Sequence, residues 1–265
     1  MGSAAHPGPE VRPGGPAVFH RKGWRTHALV TPDEARVLPD HHGVPAHTYL
    51  GLLGGTGLTA YVALTRTVRL QPGESVFVSA AAGAVGSAAG QFARLLGAGR
   101  VVGSAGSPAK VRRLTGEWGF DAAFDYHDGP VGDLLAEAAP DGIDAYLDNV
   151  GGDHLEGAIR GLREFGRIAW IGAIAQYHST RPPAAPRNLF DIVGKSLRLE
   201  GVLVRNHRDA QGELEDFLVP HLQAGRVRDV QTVAHGFDGA VDAFLGMLRG
   251  ANTGKMLVRV TAEQP

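Results

Sequence analysis

Ser75-Val-Phe-Val-Ser79-Ala-Ala-Ala-Gly83-Ala-Val-Gly86-Ser-Ala-Ala-Gly90 decides how the rest of the chain is read. An apolar, strand-like run passes through a turn of small residues straight into a segment of helical spacing. Only small side chains let a backbone approach a pyrophosphate closely, and a helix that starts at such a turn offers free amides and the favourable end of its dipole. The spacing is that of G-x-G-x-x-G, except that Ala81 stands at the first glycine. A tight strand-to-helix turn with no ligand would use the same residues, so the flanking sequence has to separate the two.

It does so by repetition. Strand-like runs occur at Ser75–Ser79, Val101–Ser104, Ala122–Asp125, Ile143–Asp148, Ile168–Ile171 and Leu197–Val204. Helical spacing fills most of the intervals, at Val85–Leu96, Ala109–Trp118, Val131–Ala138 and Asp153–Leu162, with a Pro-rich loop at Arg181–Arg187 before a short helix near Leu189–Gly194. Alternating strands and helices predict parallel strands joined by right-handed crossovers, hence an α/β, doubly wound, six-stranded Rossmann sheet from about Pro72 to Val204.

Outside this core the signals are shorter. Met1–Pro16 is Gly- and Pro-rich and reads as a flexible arm. Ala17–Val30 reads as a strand or hairpin, and Thr48–Leu64 as two short helices meeting at Gly54, Gly55 and Gly57. Amphipathic helices are expected at Leu214–Ala224 and Ala240–Leu248, and short strands at Val230–Ala234 and Met256–Val260. The expected division is an arm over 1–16, a small truncated β lobe over 17–47 completed by 228–265, and the dinucleotide-binding domain with its flanking helices over 48–227.

Composition narrows the chemistry. The 265 residues carry a formal charge of −1, which gives no reason to expect a nucleic acid or an anionic membrane as partner. No apolar run reaches the roughly 18 residues of a membrane span, and Met1–Gly15 lacks the apolar core of a signal peptide, so a cytoplasmic location is expected. The chain has no cysteine, which removes disulfides, thiolate nucleophiles and sulfur-ligated zinc; its 12 histidines are scattered, and no metal site is expected.

An NAD site usually places Asp or Glu after the second strand to bind the ribose 2′-hydroxyl. Here that stretch is Val102-Gly-Ser-Ala-Gly-Ser-Pro-Ala-Lys110, with Arg112 and Arg113 beyond it and no acid. Ser107 and Lys110 suit a 2′-phosphate, so NADP(H) is the expected cofactor, although Lys110 could also be a solvated helix-face lysine. Asp148-Asn149-Val-Gly-Gly152 closes the fourth strand, where ligands of such sheets lie. Asn149 either contacts ribose or nicotinamide, or caps the helix that starts near Asp153. Tyr177, leaving the fifth strand, either lines the nicotinamide end or packs.

Several motifs occurring in order resemble one family. Thr48-Tyr-Leu-Gly-Leu-Leu-Gly54 with Leu58-Thr-Ala-Tyr61, the Ala80–Ser87 turn, Gly119-Phe-Asp-Ala-Ala123, Asp148–Gly152, Gly172-Ala-Ile-Ala-Gln-Tyr177 and Met247-Leu-Arg-Gly-Ala-Asn252-Thr-Gly-Lys255 are similar to the zinc-independent medium-chain reductases of the leukotriene B4 12-hydroxydehydrogenase/prostaglandin reductase group. The resemblance spans about Gly23 to Val260. It implies NADPH-dependent reduction of the C=C bond of an α,β-unsaturated ketone or aldehyde, usually in a homodimer, and a front GroES-like domain that is here truncated to little more than Ala17–Pro39. It places pyrophosphate on Gly83, Ala84, Val85 and Gly86, and the 2′-phosphate and adenosine end on Lys110 and Tyr126. Asn149, the loop of Ile171, Gly172, Ala173, Ile174, Ala175, Gln176 and Tyr177, the run Val202, Leu203 and Val204, and Asn252 would line the nicotinamide half. Tyr126, Val202–Val204 and Asn252 rest on the resemblance alone. Near Gly194 many relatives carry a bulkier residue, often Tyr, which this chain lacks.

The chemistry so implied is hydride transfer to the β-carbon, with hydrogen-bond support for the enolate oxygen and a proton for the α-carbon. Tyr49, Thr59, Tyr61 and Tyr177 are polar candidates, each with a packing role as the alternative, and no catalytic residue is assigned. Two other outcomes stay open: an NADP-binding reductase-like protein without hydride transfer (a scaffold, a sensor or cyclase-like), and a quinone reductase. The last strand, Leu197–Val204, would be a sheet edge free to pair across a dimer axis.

Overall fold

The structure is a computed structural model and describes residues 18–19, 23–29, 31, 36–177, 180 and 185–260. The arm expected over 1–16 lies outside the described residues, as do residues 181–184 of the Pro-rich loop.

Two short strands, β1 (Val18–Phe19) and β2 (Arg36–Val37), pair antiparallel. A 3₁₀ turn at Ala46–Leu50 leads into α1 (Gly55–Val62), which runs on through a π-type turn at Ala63–Thr67. The glycines between them allow close chain approach: a Cβ on Gly54 would lie 2.1 Å from the Tyr49 carbonyl oxygen, and one on Gly57 would lie 1.7 Å from that of Leu52. No larger residue could occupy either position without moving backbone.

The main sheet then forms from β3 (Ser75–Val78), α2 (Ala84–Leu95), β4 (Arg100–Ala105), α3 (Pro108–Glu117), β5 (Ala122–Asp125), α4 (Val131–Ala138), β6 (Ile143–Asp148), α5 (Gly152–Gly161), β7 (Leu162–Trp170), α6 (Asp191–Gly194) and β8 (Arg198–Gly201). Its order is β5-β4-β3-β6-β7-β8, and every pairing is parallel. The order reverses between β3 and β6, which opens a crevice at the carboxyl ends of the strands.

All four residues of β3 are buried, as a strand covered on both faces requires. Alternation sends Val76 and Val78 to one face with α1, α2 and Leu214 and Leu218, and Phe77 to the other with α4 and α5. On that second face the rings of Phe77 and Tyr146 stack at 4.9 Å between centroids.

Beyond the sheet come α7 (Gln211–Gln223), β9 (Gln231–His235), α8 (Ala240–Leu248) and β10 (Lys255–Arg259). β9 and β10 pair parallel with each other, and their ladder is separate from that of β1 and β2. The partner of β1 is β2, beyond the 17–30 stretch expected to form a strand or hairpin, and the C-terminal strands do not extend this pair among the described residues; the two regions meet through side chains, as where Trp24 stands edge-on to Phe244 at 5.5 Å. β10 is tied to the main domain instead. Gly83 and Gly254 form a parallel bridge, and both the Nε2 and Oε1 of Gln91 bond the backbone of Arg228.

Two strand expectations change. β7 starts at Leu162, with no loop after α5, because the chain absorbs an irregularity: Ile143 pairs with Leu162 but Ala145 pairs with Arg167. Phe165 lies in that slip with φ 61°, and its amide donates to the Lys195 carbonyl. β8 ends at Gly201 rather than running to Val204; Val202 still donates to the Trp170 carbonyl, and a 3₁₀ segment begins at Val204. β8 is the sheet edge, as expected. Among the described residues no helix is long and apolar enough to cross a membrane.

Candidate functional site

The turn after β3 is built around Ala80, which has φ 47°, in the left-handed region. Its carbonyl accepts from the Gly83 amide at 2.9 Å, while the Ala81 amide donates to the Ser104 carbonyl at 2.8 Å. This explains the missing first glycine. The left-handed residue is Ala80, and the methyl of Ala81 fills the space left by Gly103 on β4, where a Cβ would come within 2.8 Å of it. Gly86 cannot be replaced in this way: a Cβ there would lie 2.4 Å from the Ala80 oxygen and 2.6 Å from the Ala81 Cα. Gly83 caps α2 without a side chain, so no side-chain bond satisfies the first-turn amides, which have no intrahelical carbonyl.

A cleft of about 1340 Å³ follows the carboxyl ends of β3, β4 and β6. Gly83 and Ala84 form its floor, and Gly106, Lys110 and Tyr126 one end. Ser107 caps α3, and the Lys110 Nζ donates to the Gly250 carbonyl at 2.6 Å; burial lowers the pKa of this ammonium. No carboxylate follows β4. The acid at the end of β5, Asp125, is occupied by His127, accepting from its amide at 3.1 Å and bonding its Nδ1 at 2.8 Å. Tyr126 leans over Gly106, where a Cβ would meet its ring at 3.0 Å. Beneath it His154, 5% exposed, bonds the Ser104 hydroxyl through Nε2 at 3.1 Å. Burial pushes the His154 pKa down to about 4, against a smaller opposing pull from Asp153.

The opposite wall comes from the turn after β6. Oδ1 of the buried Asp148 accepts from the amides of Val150 and Gly151 at 2.9 and 2.8 Å. Asn149 is turned to β3: its amide donates to the Ser79 hydroxyl at 2.9 Å and its Nδ2 to the Ser79 carbonyl at 2.8 Å. It does not cap α5, whose N-cap is Gly151 with no side-chain bond. The segment after β7 folds over this turn. Ile171 and Gly172 donate to the Asp148 carbonyl, Ile174 to that of Asn149 and Ala175 to that of Val150.

Of the residues expected to hold a dinucleotide, Gly83, Ala84, Lys110, Tyr126, Ile174, Ala175 and Asn252 line this one cleft. Gly86 packs beneath the turn, and Val85 faces a second groove. Asn149, Ile171, Gly172, Ala173 and Gln176 build the wall from behind without lining it, Tyr177 is 64% exposed, and Val202, Leu203 and Val204 stand off beyond β8, with Val202 buried.

The second groove, of about 770 Å³, is walled by Trp24, Tyr49, Thr59, Phe237, Phe244 and Leu257, among others. Both spaces share Met247, Lys255 and Met256, so they form one branched crevice around the start of α2. Reading the sequence assigns these shared residues no role at the site, because only the Gly83–Gly254 bridge brings β10 here. An anion entering the crevice meets the first turn of α2, which no side chain caps, and the side chains of Lys110 and Lys255, which suits a dinucleotide phosphate. Among the described residues no three His, Cys, Asp or Glu side chains are grouped to hold a metal ion.

Comparison with known proteins accords with this geometry. Residues 84–219 match the zinc-binding dehydrogenase family. A 2-alkenal reductase (NADP(+)-dependent) of Nicotiana tabacum is 39% identical over 250 residues, covering 94% of this chain and 72% of that protein. The chain belongs to the medium-chain dehydrogenase/reductase family. Within that family it falls in the alkenal and prostaglandin reductase branch: prostaglandin reductase 1 of Rattus norvegicus is 40% identical, covering 93% of this chain and 76% of that protein. Among solved structures, CurA of Vibrio vulnificus in complex with NADPH superposes with a TM-score of 0.85 at 30% identity, covering 94% of this medium-chain family member and 74% of CurA.

Proposed function

We propose that this chain binds NADPH across the start of α2 and reduces the C=C bond of an α,β-unsaturated ketone or aldehyde. The observation that carries the reading is the pairing of a small-residue turn at Gly83 and Ala84 with Lys110, and no acid, at the end of β4. The activities named for the tobacco alkenal reductase and for (+)-pulegone reductase of Mentha piperita, 38% identical over 242 residues, support the same chemistry. Bound NADPH would supply the hydride for the β-carbon.

The chain's part is to bind, orient and exclude water. In this reading the turn and first helical residues Gly83, Ala84, Val85 and Gly86 carry the pyrophosphate, and Lys110 and Tyr126 hold the 2′-phosphate and adenosine end. Asn149, Ile171–Tyr177, Val202–Val204 and Asn252 support the nicotinamide half, several of them from behind the wall. The apolar groove around Tyr49 and Thr59 takes the carbon skeleton of the substrate. The domain division proposed is a dinucleotide-binding unit over 48–227 and a small lobe made from 17–47 and 228–265. A homodimer joined along the β8 edge goes with this reading, since pairing would cover unpaired backbone groups there; a monomer in light scattering would exclude it. The proposed compartment is the cytoplasm.

The test is a panel of enones, enals and quinones mixed with protein and NADPH, read by loss of reduced-cofactor absorbance. Turnover of enones or enals is expected. A quinone oxidoreductase of Thermus thermophilus, 30% identical with a TM-score of 0.68, makes quinone-only turnover the second reading. Binding with no turnover on any acceptor would leave a cofactor-binding protein without reductase activity.

A further inference from the structure

We propose that Lys255 is a second cationic ligand of the dinucleotide, holding the pyrophosphate against the first turn of α2 from strand β10. The inference rests on the proposed binding of NADPH in the crevice.

Position is the first argument. The Gly254 amide donates to the Ala82 carbonyl at 2.8 Å, inside the turn that precedes α2. Gly254 has φ 64°, and a Cβ on it would strike the Val230 carbonyl oxygen at 2.0 Å, so the chain is held closely at this point. The next residue is Lys255. It lines the cleft beside Gly83 and Ala84 and the groove beside Val85, which places it on the boundary between the two spaces.

Charge is the second. The Lys255 ammonium makes no hydrogen bond or ion pair with any described residue, although the residue is half-buried and burial lowers its pKa. Asp229, whose Oδ1 lies near the base of this side chain, meets His47 at 3.8 Å and Gln231 at 3.0 Å through its Oδ2, and the Thr48 hydroxyl also bonds its carboxylate. A cation taken out of water without a partner is costly, and an anion brought beside it offsets that cost. Lys110 differs, because its Nζ already donates to the Gly250 carbonyl. A dinucleotide phosphate carries its charge in two places, the pyrophosphate and the 2′-phosphate. The two lysines sit at two places along the crevice, Lys255 by α2 and Lys110 on α3.

The test is calorimetric titration of NADPH, NADH and adenosine 2′-monophosphate into the full chain and its Lys255→Met, Lys255→Arg and Lys110→Met variants, each checked for folding by circular dichroism. Lys255→Met should weaken NADPH and NADH alike, by roughly ten- to a hundredfold, and leave adenosine 2′-monophosphate unchanged. Lys255→Arg should recover most of that loss. Lys110→Met should weaken NADPH and adenosine 2′-monophosphate but spare NADH. Unchanged dinucleotide affinity in Lys255→Met, or an equal loss on the monophosphate, would overturn the role of Lys255 while wild-type NADPH binding still stood. A wild-type chain that bound neither dinucleotide would remove the reductase reading and this role with it.

Discussion

The Tyr146 hydroxyl donates a 2.8 Å hydrogen bond to Oδ1 of Asp148, two residues along the same strand. That oxygen also takes the Val150 and Gly151 amides, so one carboxylate oxygen ties the end of β6 to the turn that forms the cleft wall. The other, Oδ2, is buried with no partner among the described residues. Burial raises the Asp148 pKa, and burial together with Asp148 raises that of Tyr146.

Asp148 is therefore needed as an acceptor more than as a charge. The Ser79 hydroxyl donates to Oδ1 as well, at 3.4 Å, so Asp148→Asn keeps an oxygen for four donors and should change stability by no more than about 1 kcal/mol, whereas Asp148→Ala strands them and should cost on the order of 3 kcal/mol. Because the raised pKa makes ionisation costlier in the fold than in the unfolded chain, Asp148→Asn should gain on the wild type as pH rises above the ordinary carboxylate range. Urea melts of both variants across pH measure this.

Gly86 and Gly116 form a matched pair of helix glycines. A Cβ on Gly86 strikes backbone, whereas one on Gly116 meets nothing within 4 Å. Gly86→Ala should destabilise by roughly 1–3 kcal/mol and weaken NADPH binding by displacing the turn. Gly116→Ala should stabilise by about 0.5–1 kcal/mol. Thermal melts with and without NADPH compare the two.

Lys110 should govern the choice between cofactors. Removing its charge in Lys110→Met should lower kcat/KM for NADPH by roughly ten- to a hundredfold while leaving NADH nearly unaffected. Steady-state rates with each cofactor give the ratio, and an unchanged ratio would place the 2′-phosphate elsewhere.

His154 should make stability depend on mildly acidic pH. Its folded pKa of about 4 lies below the ordinary histidine value, so the unfolded chain binds the proton more readily. Stability from this residue is complete above about pH 6.5 and falls as pH drops towards 4, by on the order of 3 kcal/mol in total. His154→Gln should flatten that part of the profile in urea melts at several pH values.

Much of the sheet was legible because its signals are local. The expected bounds of β5, β6, α4 and α8 coincide with the structure, and α2, α3 and α5 differ by one residue at each end. The end of β7 was legible at Ile168–Ile171 but its first half was not, since the slip there depends on Phe165 reaching the Lys195 carbonyl thirty residues away. Nor was the course of Asn149. A residue before a helix reads as a cap, and only the adjacency of β3 and β6 turns its amide onto Ser79.

By itself, then, the sequence determined the alternation of strands and helices, the small-residue turn before α2 and the absence of an acid after β4. These follow from apolar spacing and side-chain size along a continuous stretch. Only the tertiary structure decided that β10 docks against that turn, that Lys255 lines both spaces with no partner among the described residues, and that a single crevice branches around α2. Contacts between residues about 170 positions apart depend on how distant elements pack, and no local pattern records that packing.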